Sequence, residues 1–307
     1  MVIAMVEDPI LEHEIETNLA REQGTRLFHG RGGCFEQWKE VNLDYYAPVL
    51  VVQAFAEVEE ERLTILSAAA TRRLEAHKRQ LDCVLLQRRS RSHTDWRVLS
   101  GQPPRACFAR ENGLCYELEL MTKQNIGFFP DMRLGRDLVR RLAKGKRVLN
   151  LFAYTCSFSV AALAGGARQV CNMDISKAAL RVGRRNHIHN GFDPRDASFL
   201  SFDILRSFGR LAKNGPYDLV VIDPPTHQKG RFEARTDYAR IVRRLPDFLA
   251  PDGHIIACLN APGLGRDFLA DLFGEYQLDS WLSRPPEFRE KDEDSSLKIA
   301  HLRKVEG

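Results

Sequence analysis

Residues 217–227 read Tyr-Asp-Leu-Val-Val-Ile-Asp-Pro-Pro-Thr-His, an apolar run that stops at two prolines. The run has the length and composition of a buried strand. The prolines lack a backbone N–H and have a fixed φ, so the strand must end in a stiff, extended turn. Parallel α/β sheets place reactive groups at such carboxyl strand ends, although a plain surface turn is the alternative. The predicted functional turn consists of Asp223, Pro224, Pro225 and Thr226.

The second half of the chain alternates strand and helix patterns, which is typical of a parallel sheet with crossover helices. The predicted strands are 147–153, 169–175, 198–202, 219–222, 254–259, 278–283 and 297–303. The predicted helices are 157–164, 177–190, 204–213, 237–249 and 265–275. The last two strands form a late antiparallel hairpin. We therefore expect a doubly wound, seven-stranded α/β sheet.

The first part of the chain predicts a smaller α+β domain. Its predicted helices are 7–23 and 59–80, and its predicted strands are 25–28, 40–44, 49–56, 82–87, 96–99 and 114–120. Residues 90–104 are rich in Arg, Ser, Gly and Pro and predict a mobile loop. We place the N-terminal domain at 1–120 and the second domain at 121–307.

Composition is that of a globular protein, with 44% hydrophobic and 28% charged residues among 307. The seven cysteines are scattered without a Cys-x-x-Cys pair, which argues against disulfides and zinc and for a reducing compartment. The opening residues reach Glu7-Asp8-Pro9 too soon for a signal-peptide core, and no apolar run could span a bilayer. We expect a cytoplasmic protein without a metal, and the oligomeric state is left open.

The net charge of +4 permits an anionic partner without requiring one. Basic residues crowd two stretches, 72–91 and 140–147. They form either solvated faces or, if several converge, a surface that follows a phosphate backbone.

Three predicted strands of the second half end on an acid, namely Asp174, Asp203 and Asp223. In a doubly wound sheet these strand ends lie along one crevice. A carboxylate after the second strand suits the two hydroxyls of a ribose, and one after the third suits the amino group of an adenine. Turn or helix-cap aspartates are the common alternative for each. Three acids in register favour a nucleotide cofactor.

The loop after the first of these strands identifies the kind of cofactor. It reads Asn150-Leu-Phe-Ala-Tyr-Thr-Cys-Ser-Phe-Ser159 and lacks the Gly-x-Gly-x-x-Gly that lets a pyrophosphate approach a helix N-terminus. A cofactor without pyrophosphate fits better. S-adenosyl-L-methionine (AdoMet) combines an adenosine with a zwitterionic amino acid, which hydroxyls and backbone amides of this loop can bind.

The motifs together resemble those of class I AdoMet-dependent rRNA methyltransferases. They are Gly-Phe-Phe-Pro-Asp-Met-Arg at 127–133, Asn-Leu-Phe-Ala-Tyr-Thr at 150–155, Gly-Gly-Ala at 165–167, Asp-Ile-Ser at 174–176, Asn-Gly at 190–191 and Asp-Pro-Pro-Thr at 223–226. The resemblance is strongest to the C-terminal, guanine-N7 half of the 23S rRNA methyltransferase RlmKL, and RlmI is more distant. It implies a Rossmann-like methyltransferase sheet, an RNA-contacting N-terminal lobe and 23S rRNA as partner.

The resemblance also implies residue roles. Asp131 and Arg133 would face the methionine end of AdoMet with Tyr154 and Thr155, Asp174 would take the ribose, and Asp203 the adenine. The turn 223–226 and Asn260 would border the methyl group and the target base. The further residues expected at the cofactor are Phe129, Asn150, Phe152, Ser176 and Asn190.

Two positions depart from the family pattern. Cys156 stands where the family usually has Gly, and His227 stands where it usually has an aromatic residue. The first narrows the cofactor loop, and the second weakens stacking on a target base.

Guanine N7 is the acceptor that the resemblance favours, and it needs no general base because its lone pair carries no proton. A cytosine-C5 enzyme would need a thiolate nucleophile, for which Cys258 is the candidate. Methylation of an exocyclic amino group is a further alternative, against which Thr226 counts because Tyr or Phe is usual there. A catalytically silent module that binds AdoMet or RNA is the alternative from another class.

Overall fold

The computed structural model describes residues 8–20, 26–90, 93–228, 232–292 and 296–304. The chain divides into two compact units. The first comprises Met1–Pro130 and Pro285–Lys291, and the second comprises Asp131–Arg284 and Asp292–Gly307. Within the described ranges, no helix is both long and apolar enough to cross a membrane.

The first unit is built on a five-stranded sheet with the order β1-β2-β3-β4-β5. Its elements are α1 (Pro9–Leu19), β1 (Arg26–His29), β2 (Val41–Tyr46), β3 (Val49–Ala54), α2 (Glu60–Ala76), β4 (Cys83–Arg89), β5 (Thr94–Gly101), β6 (Cys107–Glu111) and β7 (Leu114–Leu118). Only β3 and β4 run parallel in this sheet, because α2 connects them as a crossover. The helices cover one face, where Leu63 and Leu66 of α2 share a core with Leu50 and Val52 of β3.

One expectation for this unit is wrong, and one strand was not predicted. Residues 94–101 form strand β5, which pairs with β4 from Arg89↔Thr94 to Cys83↔Gly101 and contains the predicted strand 96–99. The mobile loop predicted over 90–104 is therefore mostly sheet. Pairing outweighs the Arg, Ser and Gly composition, because an edge strand needs only one face packed. The sequence also missed β6, which pairs with β7 as a separate hairpin.

A late segment of the chain, 285–291, completes the first unit. The backbone N–H of Lys291 donates to the carbonyl of Gly32 at 2.7 Å. The rings of Phe288 and His29 have centroids 5.5 Å apart. Residues more than 250 positions apart in sequence therefore share one packed unit.

The second unit is a seven-stranded sheet with the order β10-β9-β8-β11-β14-β16-β15. Its elements are α3 (Arg133–Leu142), β8 (Arg147–Leu151), α4 (Ser157–Ala164), β9 (Gln169–Met173), α5 (Lys177–His189), β10 (Ala197–Leu200), α6 (Phe208–Asn214), β11 (Tyr217–Ile222), β12 (His227–Gln228), β13 (Phe232–Glu233), α7 (Ala234–Val242), β14 (Leu249–Leu259), α8 (Arg266–Leu272), β15 (Gln277–Leu282) and β16 (Lys298–Arg303). The strands from β10 to β14 are parallel, and β16 inserts antiparallel between β14 and β15. The doubly wound sheet with a late antiparallel pair is confirmed.

Two boundaries in this unit differ from expectation, and one helix was not predicted. Helix α7 ends at Val242, and β14 already begins at Leu249 and continues through Pro251. The pairing shifts from Tyr217↔Leu249 to Leu219↔His254, so a bulge takes up the Pro-Asp-Gly residues that predicted a stop. Helix α3 was not predicted, because its arginines hide the apolar spacing of its buried face.

Helices α3 and α4 approach each other closely at Gly165. A Cβ at this position would overlap the carbonyl oxygen of Arg140, which is backbone and cannot swing aside. The φ of Gly165, −83°, is allowed for any residue, so its backbone conformation does not require glycine. The lack of space for a Cβ does.

We expect Gly165→Ala to lower the free energy of unfolding by about 1–3 kcal/mol, because α3 and α4 must move apart. Gly209→Ala is the matched control, since a Cβ at Gly209 meets nothing within 4 Å and lies in helix α6. The control should be neutral or more stable by about 0.5–1 kcal/mol. Urea unfolding of both variants tests this, and equal midpoints would contradict the close approach.

Candidate active site

The carboxyl ends of the parallel strands form one edge of the second sheet. Going along it, the chain leaves β10 near Asp203, β9 at Asp174, β8 at the loop 152–156, β11 at Asp223 and β14 at Asn260. Strand order reverses at β8, which has β9 on one side and β11 on the other. A crevice opens at such a switch point, so the predicted acids lie along one cleft edge.

Asp174 organises the loop that follows β8. Its Oδ2 accepts the backbone N–H of Tyr154 at 2.9 Å, and its Oδ1 accepts that of Ser176 at 2.7 Å. Burial raises the pKa of Asp174, and the hydrogen bonds from Ser176 and Tyr154 oppose that rise. Each carboxylate oxygen retains a lone pair for a further donor, such as a ribose hydroxyl.

The loop itself has an unusual backbone. Phe152, Tyr154 and Cys156 all have positive φ, at 57°, 47° and 64°. Positive φ is unfavourable for residues with a Cβ, whereas glycine adopts it at little steric cost. This explains why the family usually has glycine at position 156. Asn186 of α5 restrains the loop by donating to the carbonyl of Thr155 at 3.0 Å.

The thiol of Cys156 is accommodated by a glycine in the neighbouring helix. Cys156 is fully buried, and a Cβ at Gly183 of α5 would overlap its Sγ. The side chain of Cys156, where the family usually has glycine, therefore fills the space that is free because residue 183 is also glycine. Burial raises the pKa of the Cys156 thiol well above its usual range, so it is a packing group.

A buried polar network lies beneath the loop. Asn150 of β8 donates to Asn172 of β9 at 3.0 Å, and Asn172 donates to Ser159 Oγ at 3.0 Å. His187 Nδ1 lies 2.7 Å from the carbonyl of Gly183 and must donate to it, so its Nε2 accepts from Ser159 at 2.8 Å. Burial lowers the pKa of His187, which keeps the ring neutral for this role.

This network corrects the expectation for Asn150. Asn150 is 1% exposed and its side chain donates within the sheet, so in this structure it supports the loop from below. Asn150 and Asn172 are register partners, each one residue before the end of its strand. A polar residue at the matching position of each of two apolar strands is the sequence signal for this network.

Asp223 lies in a second charged cluster, with Asp131 and Arg136. Burial, reinforced by the like charge of Asp131 and opposed by the cation of Arg136, raises the pKa of Asp223 to about 7. Arg136 is 1% exposed and shares the buried face of α3 with Val139. In the sequence, Arg136 occupies a position on the apolar face of α3, and this was a signal for a buried charge that was not recognised.

The turns after β11 and β14 are joined. Thr226 Oγ1 donates to the backbone carbonyl of Asn260. Both residues are exposed, whereas Pro224 is buried and anchors the turn. Behind them, the buried Tyr238 hydroxyl donates to the carbonyls of Ile222 and Cys258, at 3.4 and 3.2 Å. The structure therefore places the predicted catalytic residues side by side at one sheet edge, where these hydrogen bonds hold the two turns together.

Other predicted residues have local structural contacts. Asp203 accepts the N–H of Leu205 at 3.0 Å, and Ser176 caps α5 by accepting the N–H of Ala179 at 3.2 Å. Phe152 packs edge-on against Phe232, with centroids 5.0 Å apart. Asn190 caps the far end of α5 by donating to the carbonyl of Asn186 at 2.7 Å.

That placement corrects the expectation for Asn190. Helix α5 has 13 residues, so its ends are about 20 Å apart, and Asn190 lies at the end opposite Ser176. Arg133 begins α3, and Phe129 is an exposed residue of the first unit. The side chain of His227 lies outside the described part of the chain.

The model of the S-adenosylmethionine-dependent methyltransferase family matches residues 25–303. The chain belongs to this family. Its methyl donor is therefore AdoMet, as the strand-end acids and the loop without Gly-x-Gly-x-x-Gly predicted. The match extends into the first unit, so the smaller N-terminal part belongs to the same family pattern as the sheet.

Curated relatives of this methyltransferase act on ribosomal RNA by name. The ribosomal RNA large subunit methyltransferase I of Alteromonas mediterranea is 33% identical over 187 residues, which are 60% of this chain and 47% of that protein. The ribosomal RNA large subunit methyltransferase K/L of Shewanella sp. (strain MR-4) is 36% identical over 153 residues, 48% of this chain and 22% of that protein. The chain thus spans about half the length, or less, of these relatives.

Solved structures share the fold. One, from a protein assigned as a methyltransferase and complexed with S-adenosylhomocysteine (SAH), has a TM-score of 0.83 and 24% identity, over 95% of this chain and 79% of that one. A SAM-dependent methyltransferase from Agrobacterium tumefaciens has a TM-score of 0.66 and 15% identity, over 86% of this chain and 87% of that one. At these identities the likeness shows the fold alone.

Cys258 of this methyltransferase is buried in β14. Its exposure is 0%, and it shares an apolar core with Val221, Ile256 and Ile299. Burial and the charges of Asp223 and Asp131 raise the pKa of its thiol well above the usual range. A thiolate is therefore strongly disfavoured at this position.

One group among the described residues has the spacing of metal ligands, namely His254, Asp279 and His301. His254 Nδ1 and His301 Nε2 are 3.0 Å apart. The Asp279 carboxylate already accepts from Arg303 at 2.6 Å and from Gln277 at 3.2 Å. The Asp279 carboxylate is therefore already paired with the Arg303 cation.

The raised pKa of Asp223 predicts a pH-dependent stability. A carboxyl with a folded-state pKa near 7 and an ordinary value of 3.8 destabilises the fold progressively as pH rises between these values. We expect Asp223→Asn to unfold like the wild type near pH 4 and to be more stable at pH 8, by at most about 4 kcal/mol.

Thermal unfolding at several pH values measures this difference. Asp271→Asn removes an exposed carboxylate of α8 and serves as the control with a flat difference. A pH-independent gap between Asp223→Asn and the wild type would contradict the raised pKa.

Proposed function

We propose that this methyltransferase transfers the methyl group of AdoMet to N7 of a guanine in large-subunit ribosomal RNA. Curated relatives over the matched part are ribosomal RNA large subunit methyltransferases I and K/L, which supports an rRNA substrate. The observation that carries the choice of atom is the burial of Cys258 behind an exposed edge formed by Thr226 and Asn260. An rRNA substrate also agrees with the expected cytoplasmic location, which stays a prediction.

The positions of the residues along the cleft edge support the following cofactor roles. Asp174 would accept the ribose hydroxyls, and Asp203, beyond the neighbouring strand, would accept the adenine amino group. Tyr154 and Thr155 would line the methionine end, with Asp131 and Arg133 at the start of α3. When bound, AdoMet supplies a methyl group on a positively charged sulfur. The carboxylates of Asp131 and Asp223 lie near each other, on the side of the cleft edge where the methionine end would bind.

Guanine N7 suits this edge because it needs no proton removed. Its lone pair attacks a methyl carbon directly, so the protein need only position the base in line with the sulfur–carbon bond. Asp223, with a pKa of about 7, is partly protonated at neutral pH, and its protonated form can donate a hydrogen bond to a purine edge. Thr226 and Asn260 would border the base, which must leave its stack to enter.

Two other acceptors are compatible with the fold. An exocyclic amino group would use the same Asp-Pro-Pro turn, and Thr226 in place of an aromatic residue counts against it. Cytosine C5 requires a nucleophilic thiolate, and the buried Cys258 counts against that chemistry.

We expect Asp174→Asn to weaken AdoMet binding by about 10- to 100-fold, because one oxygen that accepts a backbone N–H becomes a donor. Calorimetric titration with AdoMet measures the affinity, and Asp271→Asn controls for the loss of one negative charge. Unchanged affinity in a folded Asp174→Asn protein would refute the ribose and loop roles.

We expect Cys258→Ala to keep its turnover within about threefold of the wild type, because a packing residue outside the reaction changes only stability. Alanine avoids placing an unsatisfied hydroxyl in the apolar core, which serine would do. Methyl transfer to rRNA is the measurement. An inactive but folded Cys258→Ala protein that still binds AdoMet would establish the cytosine-C5 mechanism instead.

The decisive experiment for the proposed function is nucleoside mass spectrometry. rRNA from a strain lacking this protein is incubated with the enzyme and AdoMet carrying an isotope-labelled methyl group. Label in 7-methylguanosine supports the proposal, and label in 5-methylcytidine or in an N-methylated amino group overturns the choice of atom. AdoMet binding without label in any nucleoside would identify a silent module or a different acceptor.

A further inference from the structure

In the first unit's sheet, the face under α1 and α2 is apolar and the opposite face is mixed. Alternate residues of β2 to β4 pack under the two helices. The intervening positions on the opposite face combine buried apolar residues, among them Val51 and Leu85, with polar side chains. Those polar residues are Asn42, Asp44, Gln53, Gln87 and Arg89. Four of them are buried, which is costly unless each group has a partner.

One cation on this face is neutralised within the fold. Arg26 donates from Nε to Asp44 Oδ1 at 2.6 Å and from Nη2 to Oδ2 at 3.3 Å. Both groups are buried, so this two-pronged pair satisfies the carboxylate of Asp44. Asp44 therefore has little charge left to offer any other arginine.

Two further arginines meet at an aromatic ring. The guanidinium carbon of Arg31 lies 4.1 Å from the ring centroid of Phe55, and that of Arg89 lies 5.2 Å from it. Arg31 is exposed, and Phe55 and Arg89 are half-buried. Stacking on the ring orders both guanidinium groups before any ligand arrives.

This pair has more positive charge than its surroundings balance. Burial lowers the pKa of Arg31, with the charge of Glu290 acting in the opposite direction. Burial lowers the pKa of Arg89 as well, and the nearby charge of Arg31 lowers it further. Arg89 donates from Nη2 to Asn125 at 3.2 Å, but its buried Nε has no hydrogen-bond partner among the residues that the structure describes.

A plain solvated basic face would not look like this. Arg88 and Arg97, on the helix side of the same sheet, both pair with Glu60 at 3.0 and 2.6 Å. On the opposite face, the charges of two stacked arginines repel each other, and the half-buried Arg89 has a buried donor without a partner among the described residues. An anion beside this pair would offset the repulsion and would accept a hydrogen bond from the unused donor of Arg89.

We propose that Arg31, Phe55 and Arg89 form a subsite that binds a phosphodiester group of single-stranded RNA. Phosphate oxygens match the planar donors of arginine, and a ring that holds the donors in place favours binding without sequence preference. The identity of the polymer rests on the proposed function, since an RNA methyltransferase must hold its substrate beyond the target base. A free phosphate ion offers the same oxygen acceptors as the RNA backbone, and the experiment below distinguishes the two ligands.

The test uses the full chain and a fluorescein-labelled oligoribonucleotide, U12, which contains no guanine and so does not depend on methyl transfer. Fluorescence anisotropy gives the affinity as a function of salt for the wild type, for Arg31→Gln/Arg89→Gln and for the matched control Arg97→Gln. Each lost phosphate contact should reduce the slope of log affinity against log salt by about 0.7. We expect the double variant to bind at least tenfold more weakly at low salt, and the control within twofold of the wild type.

Two further measurements show that the double variant is folded and that the lost binding is local. Its AdoMet affinity should be unchanged, and its thermal midpoint without RNA should equal or exceed that of the wild type, since two repelling cations are gone. Arg31→Lys/Arg89→Lys keeps the charge but loses the planar donors, and it should fall between the wild type and the glutamine pair. Inorganic phosphate at equal ionic strength should not displace the oligoribonucleotide.

The outcomes separate the subsite from the proposed function. Arginine-dependent binding of U12 supports the subsite even if no nucleoside of rRNA becomes methylated. Equal salt slopes for the wild type and the double variant, or no binding of U12 by the wild type, overturn it. Displacement by inorganic phosphate would also overturn it, because the site would then take a free anion.

Discussion

The exchange of neighbours at β8 is the constraint on which the rest of the second unit depends. β9 and β10 lie on one side of this strand and β11 and β14 on the other, so helices leave the sheet in opposite directions and a crevice opens above the loop 152–156. This topology brings the acids that follow three of the parallel strands, Asp174, Asp203 and Asp223, to one edge of the sheet. The same edge then receives the stiff Asp-Pro-Pro-Thr turn beside Asn260.

The loop at that edge is held by its surroundings. Three of its side-chain-bearing residues adopt a backbone region that costs of the order of 1 kcal/mol each. Asp174 secures the loop from one side, and Asn186 secures it from the helix. The Asn150–Asn172–Ser159–His187 network stiffens the strands and helices from which these restraints come. Polar groups buried below the cleft thus determine where the groups inside it point.

Sequence was a good guide where a single physical rule dominated. Short apolar runs ended by an acid or proline predicted β8 to β11 to within a few residues, because a buried parallel strand has few other ways to appear. Sequence failed where neighbours decided the outcome. β5 extends two residues beyond each end of the predicted strand 96–99 because β4 pairs with it, and β14 passes Pro251 by a bulge. The buried Arg136 acts on the pKa of Asp223 across elements that are far apart in sequence. Asn150 and Asn190 were assigned to the cofactor from motif likeness, and their contacts in space gave them supporting roles.

The return of residues 285–291 to the first unit affects how the protein is made. The chain passes from one unit to the other three times, so a cut near residue 130 would separate β1 and its neighbours from Phe288 and Lys291. During translation the five-stranded sheet emerges first, yet its last packing segment leaves the ribosome only after almost all of the methyltransferase sheet. Residues 285–291 can therefore pack against β1 only late in synthesis, when most of the methyltransferase sheet has already been made.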